Sequence, residues 1–153
     1  MKFKLWHVPV RLATGAFILN SGLAKLQADD EEMHKGIHGM ASTAYPQLAN
    51  MEPKTFTRML GVAETALGAT LLAPFTGPRL AGAGLSAFSA GLMGLYFKVP
   101  GMTEDGIRPS QQGLALAKDS WLLAIGTALM LDRSSKKEPI SKKVRETLPT
   151  KKS

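Results

Sequence analysis

Cysteine is absent from all 153 residues, which excludes disulfides, thiolate metal sites and thiol redox chemistry on this chain. No glycine loop followed by Lys and Ser or Thr is present to cradle phosphate, and no nucleophile elbow or dinucleotide fingerprint follows a strand. The chain is therefore read as not an enzyme by itself. No pair of histidines falls within an apolar segment to hold haem, so a redox role would need a partner or a diffusible quinone to carry electrons. Acidic residues are outnumbered, 12 against 19 basic ones, giving a formal charge of +7. That excess could suggest nucleic acid, but no basic helix face with interleaved aromatics is present, and nucleic acid is not expected as a partner.

The mean hydropathy is close to zero, yet it averages two extremes. Leu80 to Phe97 contains no charged residue, whereas Asp132 to Ser153 carries eight Lys or Arg. The basic stretch, residues 133–153, has little apolar content and reads as a disordered cytoplasmic tail. Residues 1–132 hold four apolar segments, at about 8–26, 57–75, 78–98 and 113–131. Each is long enough, at 1.5 Å per residue, to span a hydrocarbon layer of about 30 Å. The expected fold is an all-α integral membrane four-helix bundle. The N-terminus has basic residues ahead of an apolar run, as a signal peptide would, but is read as a retained first helix.

Periodicity agrees with lipid as the solvent. The third segment, PRLAGAGLSAFSAGLMGLYFK, has only Gly and Ser between its apolar residues. Gly82, Ser86, Ala90 and Gly94 recur every four residues, a strip along which a neighbouring helix can approach closely. TGPR, residues 76–79, reads as a tight turn with Pro78 in the first helical turn. Residues 27–56 and 101–112 read as long loops. With four spans both termini share a side, and that side carries Lys2, Lys4, Arg79 and the eight basic tail residues. The other side has Lys35, Lys54 and Arg108. The positive-inside rule then places both termini in the cytoplasm of a bacterial plasma membrane.

A charge inside a bilayer is costly, about 2.5–3.5 kcal/mol on insertion scales, so charges there require an explanation. Asp119 falls six residues into the fourth segment, about 9 Å deep, and Glu64 seven residues into the second, about 10 Å deep. Lys25 and Lys98 close the first and third segments on the same outer side, and Lys118 adjoins Asp119. The spacing thus predicts a polar intramembrane cluster of Lys25, Glu64, Lys98, Lys118 and Asp119. Two readings follow: lysines that snorkel while the acids lock helices together, or a cavity that binds a small polar molecule or quinone headgroup or relays protons. On the cytoplasmic side Arg11 and Asp132 are expected to pair, or Arg11 to meet lipid phosphate. Trp6, Tyr96 and Trp121 are placed as interface anchors.

In the first loop, MHKGIH places His34 and His38 at i and i+4, with the acidic DDEE run, residues 29–32, just before them. This is a candidate metal pair, set against a solvated loop: Gly36 weakens the helix and spacing supplies no third ligand.

RLATGAFILNSGLAKL at 11–26, GVAETALGATLL at 61–72 and AKDSWLL at 117–123 together resemble the DoxX-like family of small four-helix bacterial membrane proteins. The resemblance covers about residues 5–132 and implies a polar set of Arg11, Lys25, Glu64 and Asp119. Some family members are associated with quinone-linked sulfur oxidation, others with a membrane oxidoreductase complex that includes a superoxide dismutase and a thiosulfate sulfurtransferase. Thiol chemistry proposed for some relatives has no counterpart without cysteine. The expected function is a non-catalytic subunit or anchor of a membrane redox or stress-response complex. It would hold no cofactor of its own, with quinone as the candidate contact, and its partners would be the bilayer, membrane or peripheral proteins and further copies of itself. The alternatives are a small-solute or proton-coupled transporter, and a soluble helical bundle with a nucleic-acid-binding tail.

Overall fold

A computed structural model describes residues 4–132; the basic tail lies outside the described residues. The elements are α1 (His7–Gln27), α2 (Glu31–Ala44), a 3-10 turn (Pro46–Leu48), α3 (Pro53–Leu72), α4 (Pro78–Lys98), β1 (Thr103–Glu104), β2 (Arg108–Pro109), α5 (Leu114–Lys118) and α6 (Ser120–Leu131). The protein is all-α but for a two-residue antiparallel hairpin pairing Thr103 with Pro109 and Glu104 with Arg108. Two rods, Pro78–Lys98 and Leu114–Leu131, are long and apolar enough to cross a membrane.

Local chemistry explains the boundaries. Pro53 and Pro78 open α3 and α4, where a missing N–H costs nothing. Asp30 caps α2: its carboxylate accepts from Glu32 N at 2.9 Å and Met33 N at 3.3 Å. Glu31 and Glu32 then face the positive end of the helix dipole. The stretch expected as a loop is thus largely a helix, because the acidic run is an N-terminal cap. The second long helix starts at 53 rather than 57 and ends at 72 rather than 75. The last rod is interrupted at Asp119.

The rods form two close pairs. α1 packs along α3 and α4 along α6, while α3 touches α4, and α1 touches α6, only lightly. Glycine makes both close approaches. A Cβ on Gly22 would lie 2.6 Å from Thr65 N, and one on Gly68 2.6 Å from Leu19 N. In the other pair, a Cβ on Gly82 would lie 2.5 Å from Met130 N and one on Gly126 2.7 Å from Ser86 N. The small-residue strip on α4 therefore divides. Gly82 and Ser86 meet α6, Gly94 faces Tyr45, and Ala90 is exposed. Between the pairs, Ile18, Leu71, Leu85, Leu122 and Leu129 form one apolar cluster. The outward faces carry exposed Phe17, Val62, Leu80, Phe97 and Trp121.

Arg11 joins α1 to the end of α3. Its guanidinium donates to the carbonyls of Thr70, Leu71, Ala73 and Thr76 at 2.8–3.1 Å and to Thr76 Oγ1 at 2.6 Å. Those of Thr70, Leu71 and Ala73 are carbonyls that a helix C-terminus leaves unpaired, here gathered by a cation at the negative end of the dipole, while Thr76 belongs to the turn that follows. Arg11 therefore neither pairs with Asp132 nor reaches outward. Asp132 pairs with Lys4, and its other oxygen lies 2.8 Å from His7 Nε2. Tyr96, expected as an interface anchor, is buried and donates to Ile107 O at 2.7 Å, fastening the hairpin to α4.

Candidate functional site

Two charges of the expected cluster meet. Lys25, in the last turn of α1, and Glu64, in the middle of α3, face each other where Gly22 and Gly61 let the helices approach. Lys25 Nζ lies 2.8 Å from Glu64 Oε2 and donates also to Ser21 Oγ at 2.8 Å. Glu64 is 4% exposed, so bulk solvent screens its charge poorly and Lys25 is its ion-pair partner. Removing one member of such a pair leaves the other uncompensated, a loss of about 3–5 kcal/mol.

The pair is not sealed in. It borders a cavity of about 580 Å³ enclosed by α2, α3 and α4. Met33, Ile37 and Met40 of α2 form its roof, Phe56 and Leu60 of α3 one wall, and Phe88 and Leu92 of α4 the other. The i, i+4, i+7 spacing of Met33, Ile37 and Met40 lays one apolar face of α2 over the opening. Tyr45 fastens the roof, donating to Gly91 O at 3.0 Å. The ammonium of Lys25 has three N–H donors, of which Ser21 and Glu64 take two. Glu64 Oε1 has no partner among the described residues. A bound group could therefore find a donor and an acceptor side by side at the end of an apolar chamber.

The other members of the expected cluster are placed differently. Lys98 lies over the Tyr45 ring, 4.6 Å from its centroid, and is exposed. It reinforces the roof fastening rather than joining the acids. Lys118 is exposed and borders neither cavity of the ion pair. Asp119 borders a second cavity, of about 280 Å³, together with Ser21, Lys25 and Glu64. The convergence is thus one ion pair and one separate acid, with two lysines turned elsewhere. A helix-end lysine takes its direction from whatever packs beside it, and for Lys98 that is Tyr45, which precedes it by 53 residues.

His34 and His38 do share a face of α2, but the face is buried against the protein rather than solvated. His38 Nε2 lies 3.0 Å from Leu48 O, and its ring meets Phe56 edge-on at 5.6 Å. Neither ring nitrogen of His34 has a hydrogen-bond partner among the described residues. Among the described residues no group of three or more His, Asp or Glu is placed to hold a metal. Between α1 and α2, Asp29 pairs at 3.0 Å with Lys54 in the first turn of α3, whose hydrogen bond holds the carboxyl below its ordinary range.

Sequence reasoning missed the roof: Met33, Ile37, Met40 and Tyr45. The signal was available in the amphipathic spacing behind Asp30. No family model, curated protein or solved structure matches this chain.

Proposed function

We propose that the chain is an integral four-helix membrane protein of the DoxX-like kind, with both termini cytoplasmic and its chief cavity opening on the outer side. In this reading it holds the headgroup of a quinone-like amphiphile as a non-catalytic subunit or anchor of a membrane redox assembly. The observation that carries the reading is the buried Lys25–Glu64 pair, with unused hydrogen-bonding capacity, at the end of a 580 Å³ apolar chamber. Carbonyl oxygens of a quinone accept hydrogen bonds and the hydroxyls of its reduced form donate them. Lys25 suits the first and Glu64 Oε1 the second. Ligand sites of this size are commonly apolar, with a few polar groups fixing orientation.

Membrane residence is supported by the two apolar rods. α1 and α3 are not apolar enough on composition alone. Of their charges, Arg11, Lys25 and Glu64 are turned inward and partnered, which is how intramembrane charges are accommodated, whereas Arg58, in the second turn of α3, is exposed. A second cavity on the other side of the ion pair favours, as the rival, a small-solute pathway.

The test is purification in a mild detergent, with mass spectrometry of bound lipids, quinones and proteins. Near-stoichiometric quinone in the wild type, lost in Glu64→Gln, is the expected result. Bulk lipid alone would overturn the quinone reading and direct attention to solute flux in liposomes.

A further inference from the structure

Asp119 is the charged residue that the ligand reading leaves without a task. It stands at the break between α5 and α6, with its N–H on Leu116 O at 3.0 Å and its carbonyl accepting from Leu122 N at 3.0 Å. The backbone there stays in the right-handed helical region, and Leu123 N also reaches Asp119 O at 3.4 Å, so the rod continues through the break. Its half-buried side chain has no hydrogen-bond or ion-pair partner among the described residues. It borders the 280 Å³ cavity, whose wall includes Lys25, Glu64, Phe88 and Leu92, and these same four residues border the 580 Å³ chamber. The ion pair, with Phe88 and Leu92, therefore borders both cavities, while Asp119 lines only the smaller of the two.

Charge counting identifies what Asp119 binds. Around the smaller cavity stand Lys25 from α1, Glu64 from α3 and Asp119; α4 supplies Phe88 and Leu92 but no titratable group, and Lys118 lies outside the lining. With all three ionised the cavity carries one excess negative charge between apolar walls, an arrangement that low polarity penalises. One proton neutralises it. A metal cation would face the Lys25 ammonium and, among the described residues, find no group of three or more acidic or imidazole ligands. The volume admits several waters at about 30 Å³ each, enough to bridge two carboxyls.

We propose that Asp119 is a proton-binding site: it carries a proton in the unliganded protein and passes it to Glu64 when a ligand in the larger chamber engages Lys25. In that step the Asp119 O–H bond breaks and an O–H bond forms on Glu64. Asp119, left as a carboxylate, regains a proton from the outer face, and no electrons move. The coupling rests on the ligand reading above; the proton site does not.

The experiment uses the full chain in lipid nanodiscs and has two readouts. Infrared spectroscopy at neutral pH should show a protonated-carboxyl C=O band that is lost in Asp119→Asn and retained in Glu64→Gln. An identical spectrum for wild type and Asp119→Asn overturns the proton site. Should Asp119→Asn fail to accumulate, Asp119→Glu must shift the band, and an unshifted band overturns the proposal equally. The second readout adds a short-chain benzoquinone as probe and follows proton exchange with a pH-indicator dye. Proton exchange on binding in the wild type, reduced to background in an Asp119→Asn protein that still binds, is the expected result. Undiminished exchange in that variant overturns the coupling. A wild type that binds no quinone removes the ligand reading and with it the coupling, while the infrared band decides the proton site by itself.

Discussion

The α1/α3 pair and the pair that α4 forms with α6 solve the same packing problem with different residues. Both bring backbones together over glycine, through Gly22, Gly61 and Gly68 in one and Gly82 and Gly126 in the other. Among the described residues the α4 pair buries Leu85, Ser89, Leu122 and Leu129 with their small neighbours, and Tyr96 beside the hairpin, none of them charged. The α1/α3 pair encloses a guanidinium cap at one end and an ion pair toward the other. Close packing alone therefore needs no charge. The charges of α1 and α3 are an addition to a packing scheme that works without them, and the Lys25–Glu64 pair is the addition that faces a cavity.

The largest expected effect follows from that difference. Lys25→Ala should destabilise the protein by about 3–5 kcal/mol, because Glu64 would be left buried without its partner. Ser89→Ala should cost little, since the Ser89 hydroxyl only returns a hydrogen bond to Leu85 O in its own helix. Thermal unfolding in a mild detergent measures both, and equal losses would erase the distinction between the pairs. The next effect should be shared: Gly68→Val and Gly82→Val each set a side chain against backbone. Each is expected to cost at least the roughly 1–3 kcal/mol typical of overpacking, read as lowered thermal midpoints. A loss in only one pair would mean that the two interfaces are not equivalent.

A smaller effect concerns the roof. Asp30→Ala removes the cap of α2 and should cost about 1 kcal/mol. Hydrogen exchange should rise at the start of α2 and not in α4. The smallest effect lies where the pairs meet near the chain ends. The hydrogen bond from Lys4 holds the Asp132 carboxyl below its ordinary range, against the opposing effect of burial, with the charge of Lys4 and then the nearby His7 assisting. A carboxyl whose folded value is depressed stabilises the fold above its ordinary value of about 4, and that contribution is lost as pH falls through the lower folded value. Acid sensitivity in that window should be weaker in Asp132→Asn than in wild type, and equal acid sensitivity would show that this latch contributes nothing.

Much of the fold was legible. Pro78–Lys98 coincides with the expected third segment because a proline start and an uncharged run mark it at both ends. Glu64 and Asp119 were placed at one level by counting residues along two helices, with Lys25 closing the first helix on that side, and the three border one cavity. Direction around a helix is harder. Lys98 and Lys118 share that level yet turn elsewhere, because azimuth depends on which neighbour packs alongside, and Tyr45 comes from a segment read as a loop. α2 was hidden by its own cap: four consecutive acidic residues resemble a solvated loop until Asp30 is recognised as the residue that starts a helix. Arg11 was read as pairing with Asp132 or meeting lipid phosphate because five hydrogen bonds to the end of another helix leave no mark on local sequence.

The most direct test of the account is quinone binding by the wild type and by Lys25→Met/Glu64→Leu, each in lipid nanodiscs and titrated with the same short-chain benzoquinone. Replacing a buried ion pair by apolar residues of similar size is often neutral or stabilising, so the double variant should keep its thermal midpoint. Saturable binding to the wild type, lost in this folded variant, is the expected result. Equal binding by both proteins would contradict it and leave Lys25 and Glu64 as a lock between α1 and α3.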